Sequence, residues 1–194
     1  VLGPQMRDEC EAMAIGRTFR EALGKAIRSL ETGRAGFDLP FPAADDPEAR
    51  ARAGKYADTQ LVKLNVGKLD VIERAIATPT PDRLYQLARG FHMGLTVKRA
   101  HELTHIDPWF LEHISSIADE ELMLAKHGTG SLQKPEWLRR VKQRGISDRR
   151  IAALTGQREA DVRAARHAAG IRPVYKRVDT CAAEYESHTP YMYS

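Results

Sequence analysis

The sequence predicts an all-α fold: an irregular bundle of about eight short helices in two lobes, with an extended C-terminal segment. Three observations predict it. Apolar residues recur three or four positions apart over most of the chain, the spacing of one buried helical face. Glycines fall where these patterns stop, at Gly33, Gly94, Gly128, Gly145, Gly156 and Gly170. A strand signal occurs only at 173–180. At 194 residues the chain is long enough to bury a sizeable core in one or two domains.

The elements follow in order. In 12–32, the residues Phe19, Leu23, Ala26, Ile27 and Leu30 are spaced by 4, 3, 1 and 3. Thr18 is placed to cap this helix with Glu21 as its capping-box partner, and Gly33 and Gly36 to stop it. The stretch 37–55 holds Pro40, Pro42 and Pro47 and reads as a loop with one short helix after Asp45-Asp46. Leu61, Leu64, Leu69, Ile72 and Ile76 mark a helix over Thr59–Ala77, weakened by Gly67. Thr80-Pro81 opens Asp82–Phe91, with Leu84, Leu87, Ala88 and Phe91 on one face. A short helix over Thr96–Leu103 follows. Asp107-Pro108 opens the next, whose expected buried side is Trp109, Phe110, Ile114, Ile117, Leu122 and Leu124. Three further helices are read over Lys134–Arg144, Asp148–Thr155 and Glu159–Ala169. The aromatic packing of the helical core is expected through Tyr85, Phe91, Trp109 and Phe110, with Leu84 beside them.

Charge and cysteine usage exclude some classes. Thirty Lys and Arg against 26 Asp and Glu give a net charge of +4, which permits an acidic partner without demanding one. Two cysteines, Cys10 and Cys181, lie far apart in no metal-binding pattern, so a reducing, cytoplasmic setting is expected. No apolar run is long enough to cross a bilayer, and no signal peptide precedes Gln5, so no membrane association is expected. The absence of a starting Met fits a piece of a longer protein.

Two motifs carry chemistry at face value. His101-Glu102-Leu103-Thr104-His105 matches the His-Glu-x-x-His pattern, in which two imidazoles one turn apart hold zinc and the Glu activates water. A third ligand is lacking at a recognisable spacing, although His113, Glu120 and Glu121 follow. Asp107-Pro108 also ends the helix almost at once, so the residues favour a structural role over a zinc peptidase. The second motif is helix, Gly turn, helix over Ser147–Ala169, in a stretch (131–178) with thirteen Lys and Arg against four acids, a net +9. That is the outline of a helix-turn-helix nucleic-acid-binding protein. Against it, the second helix opens on Glu159 and Asp161, which suit the helix dipole and repel phosphate, and Gln157 is the only nearby amide. A Gly-rich phosphate loop, a Glu and Asn cluster for magnesium and a nucleophile with its base are all absent from the pattern, so no catalytic, cofactor or metal residue is assigned.

Three separated strings carry a resemblance. Val174-Tyr175-Lys176-Arg177-Val178-Asp179-Thr180-Cys181-Ala182-Ala183-Glu184-Tyr185 closely resembles the junction between the halves of the carbamoyl-phosphate synthetase large subunit, leading into its second ATP-grasp unit. Glu11-Ala12-Met13-Ala14-Ile15-Gly16-Arg17-Thr18 resembles the closing segment of the first half. Leu103-Thr104-His105-Ile106-Asp107-Pro108-Trp109-Phe110-Leu111 resembles the helical domain between them, and neither His position belongs to that pattern. Departures are Cys10 for Gly, Ala12 for Val, and Arg50 where relatives often carry an apolar residue.

The resemblance implies three parts: 1–36 closing the first (carboxyphosphate) half, 37–172 forming the helical oligomerisation domain, and 173–194 opening the second (carbamoyl-phosphate) half. It implies a non-catalytic bridge with no cofactor of its own. The parent enzyme would use ATP with Mg (or Mn) to make carbamoyl phosphate from bicarbonate and glutamine-derived ammonia, for arginine and pyrimidine biosynthesis. Implied partners are the flanking ATP-grasp halves, a glutaminase small subunit and further copies of the chain, with no nucleic acid. Glu11 matches a glutamate beside the family's internal tunnel. The tail after Thr180 is expected to fold back on the helical body or to pair with a neighbouring chain.

Overall fold

A computed structural model describes residues 12–37 and 69–194 of the chain. Among the described residues there are eight α-helices: α1 (Phe19–Ser29), α2 (Leu69–Ala77), α3 (Arg83–His92), α4 (Val97–Thr104), α5 (Pro108–His127), α6 (Pro135–Gln143), α7 (Asp148–Thr155) and α8 (Glu159–Ala168). A 3-10 turn over Gly128–Gln133 joins α5 to α6. None of these helices is long and apolar enough to cross a membrane.

The 20-residue α5 is the spine, about 30 Å long at 1.5 Å per residue. It packs against α3, α4 and α1 on one side and against α7 on another. Its buried stripe is Leu111, Ile114, Ile117, Ala118, Glu121 and Leu124. The first four lie in an N-terminal core with Ile27, Phe37, Ile72, Ile76, Leu87 and Phe91. Leu124 lies in a second core with Leu138, Val141, Ile151 and Val162. Two apolar clusters sharing one helix make the two lobes. Full burial of each such side chain contributes roughly 1.5–3 kcal/mol relative to exposure.

Side-chain caps set the start of four of these helices. Thr18 Oγ1 accepts from Glu21 N at 3.2 Å, Thr96 Oγ1 from Arg99 N at 3.2 Å, and Ser147 Oγ from Arg150 N at 3.0 Å. Asp107 Oδ1 accepts from Trp109 N at 2.8 Å, just where Pro108 has no donor to offer.

Three expectations need correction. Glu21 does not return its bond to the cap residue: its Oε2 accepts from Arg17 N, one position earlier, at 2.9 Å. The left-handed residue that ends α1 is Glu31 (φ 52), two positions before Gly33. At α3 the cap position is Asp82, without a side-chain bond, because a turn closed by Arg83 N donating to Thr80 O precedes the helix. The 3-10 turn after Gly128 was not legible in sequence. The expected short helix after Asp46 and the first half of Thr59–Ala77 lie outside the described residues.

The tail folds back on itself and on the helical body. Two-residue strands β1 (Lys176–Arg177) and β2 (Met192–Tyr193) pair antiparallel, with Lys176 opposite Tyr193 and Arg177 opposite Met192. The strand expected over 173–180 is thus only two residues long. Asp179 builds the intervening turn by accepting from Cys181 N at 2.9 Å and Ala183 N at 2.7 Å. Arg17 donates to Val174 O at 2.9 Å, and Lys25 Nζ stands 5.8 Å from the Tyr193 ring centroid.

Candidate functional site: the ion-pair seam between the lobes

Where the two cores meet on α5, the stripe changes from apolar to acidic. Glu121 is 2 % exposed and Arg150 of α7 is 3 % exposed. Arg150 Nε and Nη2 donate to Glu121 Oε1 and Oε2 at 2.7 and 2.9 Å, a two-bond fork that fixes both side chains in one plane. His92 Nε2, from α3, lies 3.2 Å from the same carboxylate. Burial alone pushes the Glu121 carboxyl up, but the Arg150 charge and hydrogen bonds, helped by nearby His92, override it and hold the pKa at about 2. One carboxylate on the spine therefore gathers a side chain from each lobe.

A second tier surrounds the first. Glu120, 5 % exposed, pairs with Arg140 at 3.3 Å and with Arg144, at the end of α6. Asp148, at the start of α7, holds Lys142 at 2.8 Å and Arg166 of α8 at 3.1 Å. Burial raises the Asp148 carboxyl, but the bonds and charges of Lys142 and Arg166 leave it net lowered. Backbone and hydroxyl contacts finish the joint: Arg20 donates to Ser116 Oγ at 2.7 Å, and Ser147 Oγ donates to Ala35 O at 3.1 Å.

The tightest approach is between α1 and the α6–α7 turn. A Cβ on Gly24 would stand 2.8 Å from Gly145 O, and one on Gly145, at φ 85, would stand 2.8 Å from Glu21 Cα. Real Cβ atoms do not come that close to backbone, so two glycines let these segments touch. Arg28 then donates to Gly145 O at 2.9 Å.

The sequence-derived core residues divide. Tyr85 and Phe91 are buried, and Leu84 packs against the first core. Arg34 lies over the Tyr85 ring at 3.6 Å. Trp109 and Phe110 are 50 % and 42 % exposed, so their assignment to the core is corrected. They occupy the first turn of α5, where Leu111, not its neighbours, starts the inward stripe. Their rings instead cluster with Phe19 and His113: Trp109 lies 5.2 Å from Phe19 and 4.3 Å from His113, and Phe110 lies 5.3 Å from Phe19. Leu122 is only partly buried. Glu11 lies outside the described residues.

The His-Glu-x-x-His spacing does not make a metal site. His105 is not in α4 but caps it in the left-handed region at φ 55, and His101 Nδ1 bonds Ile106 O at 2.7 Å. The i, i+4 face is therefore broken at its second member. Glu120, Glu121 and His113 are engaged as described, and no group of three or more His, Cys, Asp or Glu among the described residues is arranged to hold a metal.

The helix-turn-helix outline is real as geometry: α7, a left-handed Gly156 (φ 70), then α8. Several of its basic residues, however, are engaged in ion pairs. Arg150, Arg140, Arg144, Lys142 and Arg166 all bind carboxylates of the seam, and on α8 Arg163 pairs with Glu159 at 2.6 Å. Nothing in the structure favours a nucleic-acid interface there. Sequence reading missed the seam because it took Glu120 and Glu121 as conceivable metal ligands and Arg150 as part of a basic stretch with a helix-turn-helix outline. A usable signal existed: adjacent acids in the middle of an apolar helical stripe require internal cations.

Comparisons with known proteins agree with this architecture. Residues 11–170 match the family model described as "Carbamoyl-phosphate synthetase large chain, oligomerisation domain". The carbamoyl phosphate synthase large chain of Gemmatimonas aurantiaca is 42 % identical over 193 residues, covering 99 % of this chain and 16 % of that protein. That of Brucella melitensis is 43 % identical over 195 residues (100 % and 15 %), and that of Myxococcus xanthus 42 % over 193 (100 % and 16 %). The chain thus spans about a sixth of the length of these relatives. Seven helices and the spine α5 among the described residues, over a stretch that the family model covers almost end to end, lead to one assignment: the chain belongs to the oligomerisation-domain family of the carbamoyl-phosphate synthetase large chain.

Proposed function

We propose that the chain is a non-catalytic helical bridge within a carbamoyl-phosphate synthase large subunit. It holds two ATP-grasp halves in register and supplies a self-association surface. The observation that carries this reading is the rigid joint: two apolar lobes locked through a buried carboxylate–guanidinium fork, in a family whose description names oligomerisation. A bridge needs a fixed angle between its ends, and a bidentate buried pair resists bending more than an apolar contact that slides.

The parent enzyme on this reading is a cytoplasmic ATP-dependent carbon–nitrogen ligase. It joins bicarbonate and ammonia into carbamoyl phosphate for arginine and pyrimidine biosynthesis, with Mg or Mn accompanying ATP and a glutaminase small subunit releasing ammonia. Residues 1–36 belong to the end of the first half, 37–172 to the bridge and 173–194 to the start of the second half. In support, both strands among the described residues fall beyond the matched stretch, which ends at residue 170. Glu11 is assigned beside the ammonia route. In the full-length synthetase, Glu11→Ala should lower glutamine-dependent synthesis while sparing synthesis from added ammonia, and equal loss of both rates would contradict that assignment.

The self-association clause is tested by sedimentation velocity of the 194-residue chain from micromolar to millimolar concentration. A concentration-dependent rise in sedimentation coefficient is expected; a strict monomer throughout would remove the clause.

A further inference from the structure

We propose that the cleft between α1 and the C-terminal lobe binds a compact, multiply charged phosphate compound. The cleft has a volume of about 710 Å³, within the size range of small-molecule sites. It is walled by α1, α6 and residues 170–174. Thr18, Glu21, Lys25 and Arg28 line it from a single face of α1, with Arg17 just before that helix. The facing wall brings Arg139 and Lys142 from α6, Arg166 from α8 and Arg172 beyond it.

Seven cationic side chains thus meet two side-chain carboxylates, and Ser194, the last residue of the sequence, also stands on the lining. Glu21 pairs with Lys25 at 2.9 Å, and Asp148, which is not itself on the lining, is shared by Lys142 and Arg166. An excess of five positive charges is left among the side chains, four once the terminal carboxylate of the 194-residue chain is counted. Among the described residues Arg28, Arg17, Arg139 and Arg172 have no carboxylate in ion-pair range. Arg28 and Arg17 bond neutral carbonyls instead, those of Gly145 and Val174, each at 2.9 Å. The crowding is felt by the lysine: burial depresses Lys142, Asp148 partly offsets this, and the like charges of Arg166 and Arg28 depress it further. Clustered, partly desolvated cations of one sign repel, and an anion seated among them relieves that repulsion.

The ligand class follows from donor type and shape. Guanidinium forks match phosphate oxygens in pairs. A single carboxylate would leave most of the excess unmet. No aromatic side chain lines the cleft to stack a base. Recognition is therefore of phosphate groups. This inference uses only the cleft's own residues and stands independently of the bridging role.

The test is isothermal titration of the 194-residue chain with inorganic pyrophosphate at low ionic strength. Saturable one-site binding is expected, weakened about tenfold by Arg28→Gln or Lys142→Gln, the loss of one charge-assisted bond. Because Arg28 and Lys142 also brace the fold, the exposed Arg139→Gln and Arg172→Gln give a second reading: weaker binding with an unchanged urea midpoint. Arg99→Gln, in the other lobe, is expected to bind as the parent chain does. The proposal is overturned by no saturable binding, by equal weakening in Arg99→Gln, or by an oligoglutamate peptide that outcompetes pyrophosphate.

Discussion

Glu121 is the residue on which the fold turns. Its carboxylate is almost fully buried, yet it is held ionised by Arg150. Replacing a buried ion pair with apolar residues is often neutral, whereas removing one partner strands a charge. Glu121→Gln is therefore expected to cost about 3–5 kcal/mol in urea unfolding, because Arg150 keeps its charge and loses its counter-ion. A pH dependence follows from the same pair. The folded pKa of Glu121, about 2, lies below its ordinary value of 4.5. Asp148 and Glu21 are lowered in the same direction from 3.8 and 4.5. Groups with depressed folded pKa values contribute stability that is fully present above the unfolded pKa and is lost as pH falls through the folded one. Urea midpoints should thus stay level from pH 7 to about 5 and fall steadily from there towards pH 2. In Glu121→Gln the acid slope should be shallower, and an unchanged slope would show that Glu121 is not the group being protonated.

At the scale of elements, the crossing of α1 over the α6–α7 turn is set by absent side chains. Gly145 is left-handed at φ 85, and a methyl group there would also meet Glu21 Cα. Two penalties combine in Gly145→Ala, backbone strain and a backbone clash that no rotamer change relieves. A loss of roughly 2–4 kcal/mol is expected in chemical unfolding, together with increased amide exchange at the end of α6. A loss below roughly 1 kcal/mol would mean that the crossing gives way more easily than its geometry implies. The start of α5 teaches the opposite lesson about apolar residues. Pro108 and the Asp107 cap fix where the helix begins, and that phase turns Leu111 inward and leaves Trp109 and Phe110 on a ledge with Phe19 and His113.

For the whole molecule, two cores share one helix and one buried charge network. Neither lobe can open without exposing its end of α5 and breaking the Glu121–Arg150 fork. The described body is therefore expected to unfold in one calorimetric transition, with van't Hoff and calorimetric enthalpies equal. Two resolved transitions in the parent chain would show that the seam does not couple the lobes. The tail stands apart from this unit: Val174, Tyr175, Tyr185, Tyr191 and Met192 are all more than half exposed, and among the described residues it is held by local hairpin bonds and by contacts from Arg17 and Lys25.

The helix order, most of the caps and the all-α class were written locally. Capping bonds, glycine stops and the three-to-four spacing each involve neighbours within one or two turns, so Thr18 and Asp107 could be assigned by inspection, and the caps at Thr96 and Ser147 became clear from the structure. The family resemblance was legible for the same reason, as contiguous strings. What only the tertiary structure decided was phase and partnership over long separations. It chose which side of α5 faces inward, joined Glu121 to Arg150 across 29 positions, and set Arg28 against Gly145 across 117. A charge pattern in sequence gives the sign of each group but not its neighbour. The arginines of the basic 131–178 stretch became, once α5 to α8 packed, counter-ions of buried acids and the lining of a cleft.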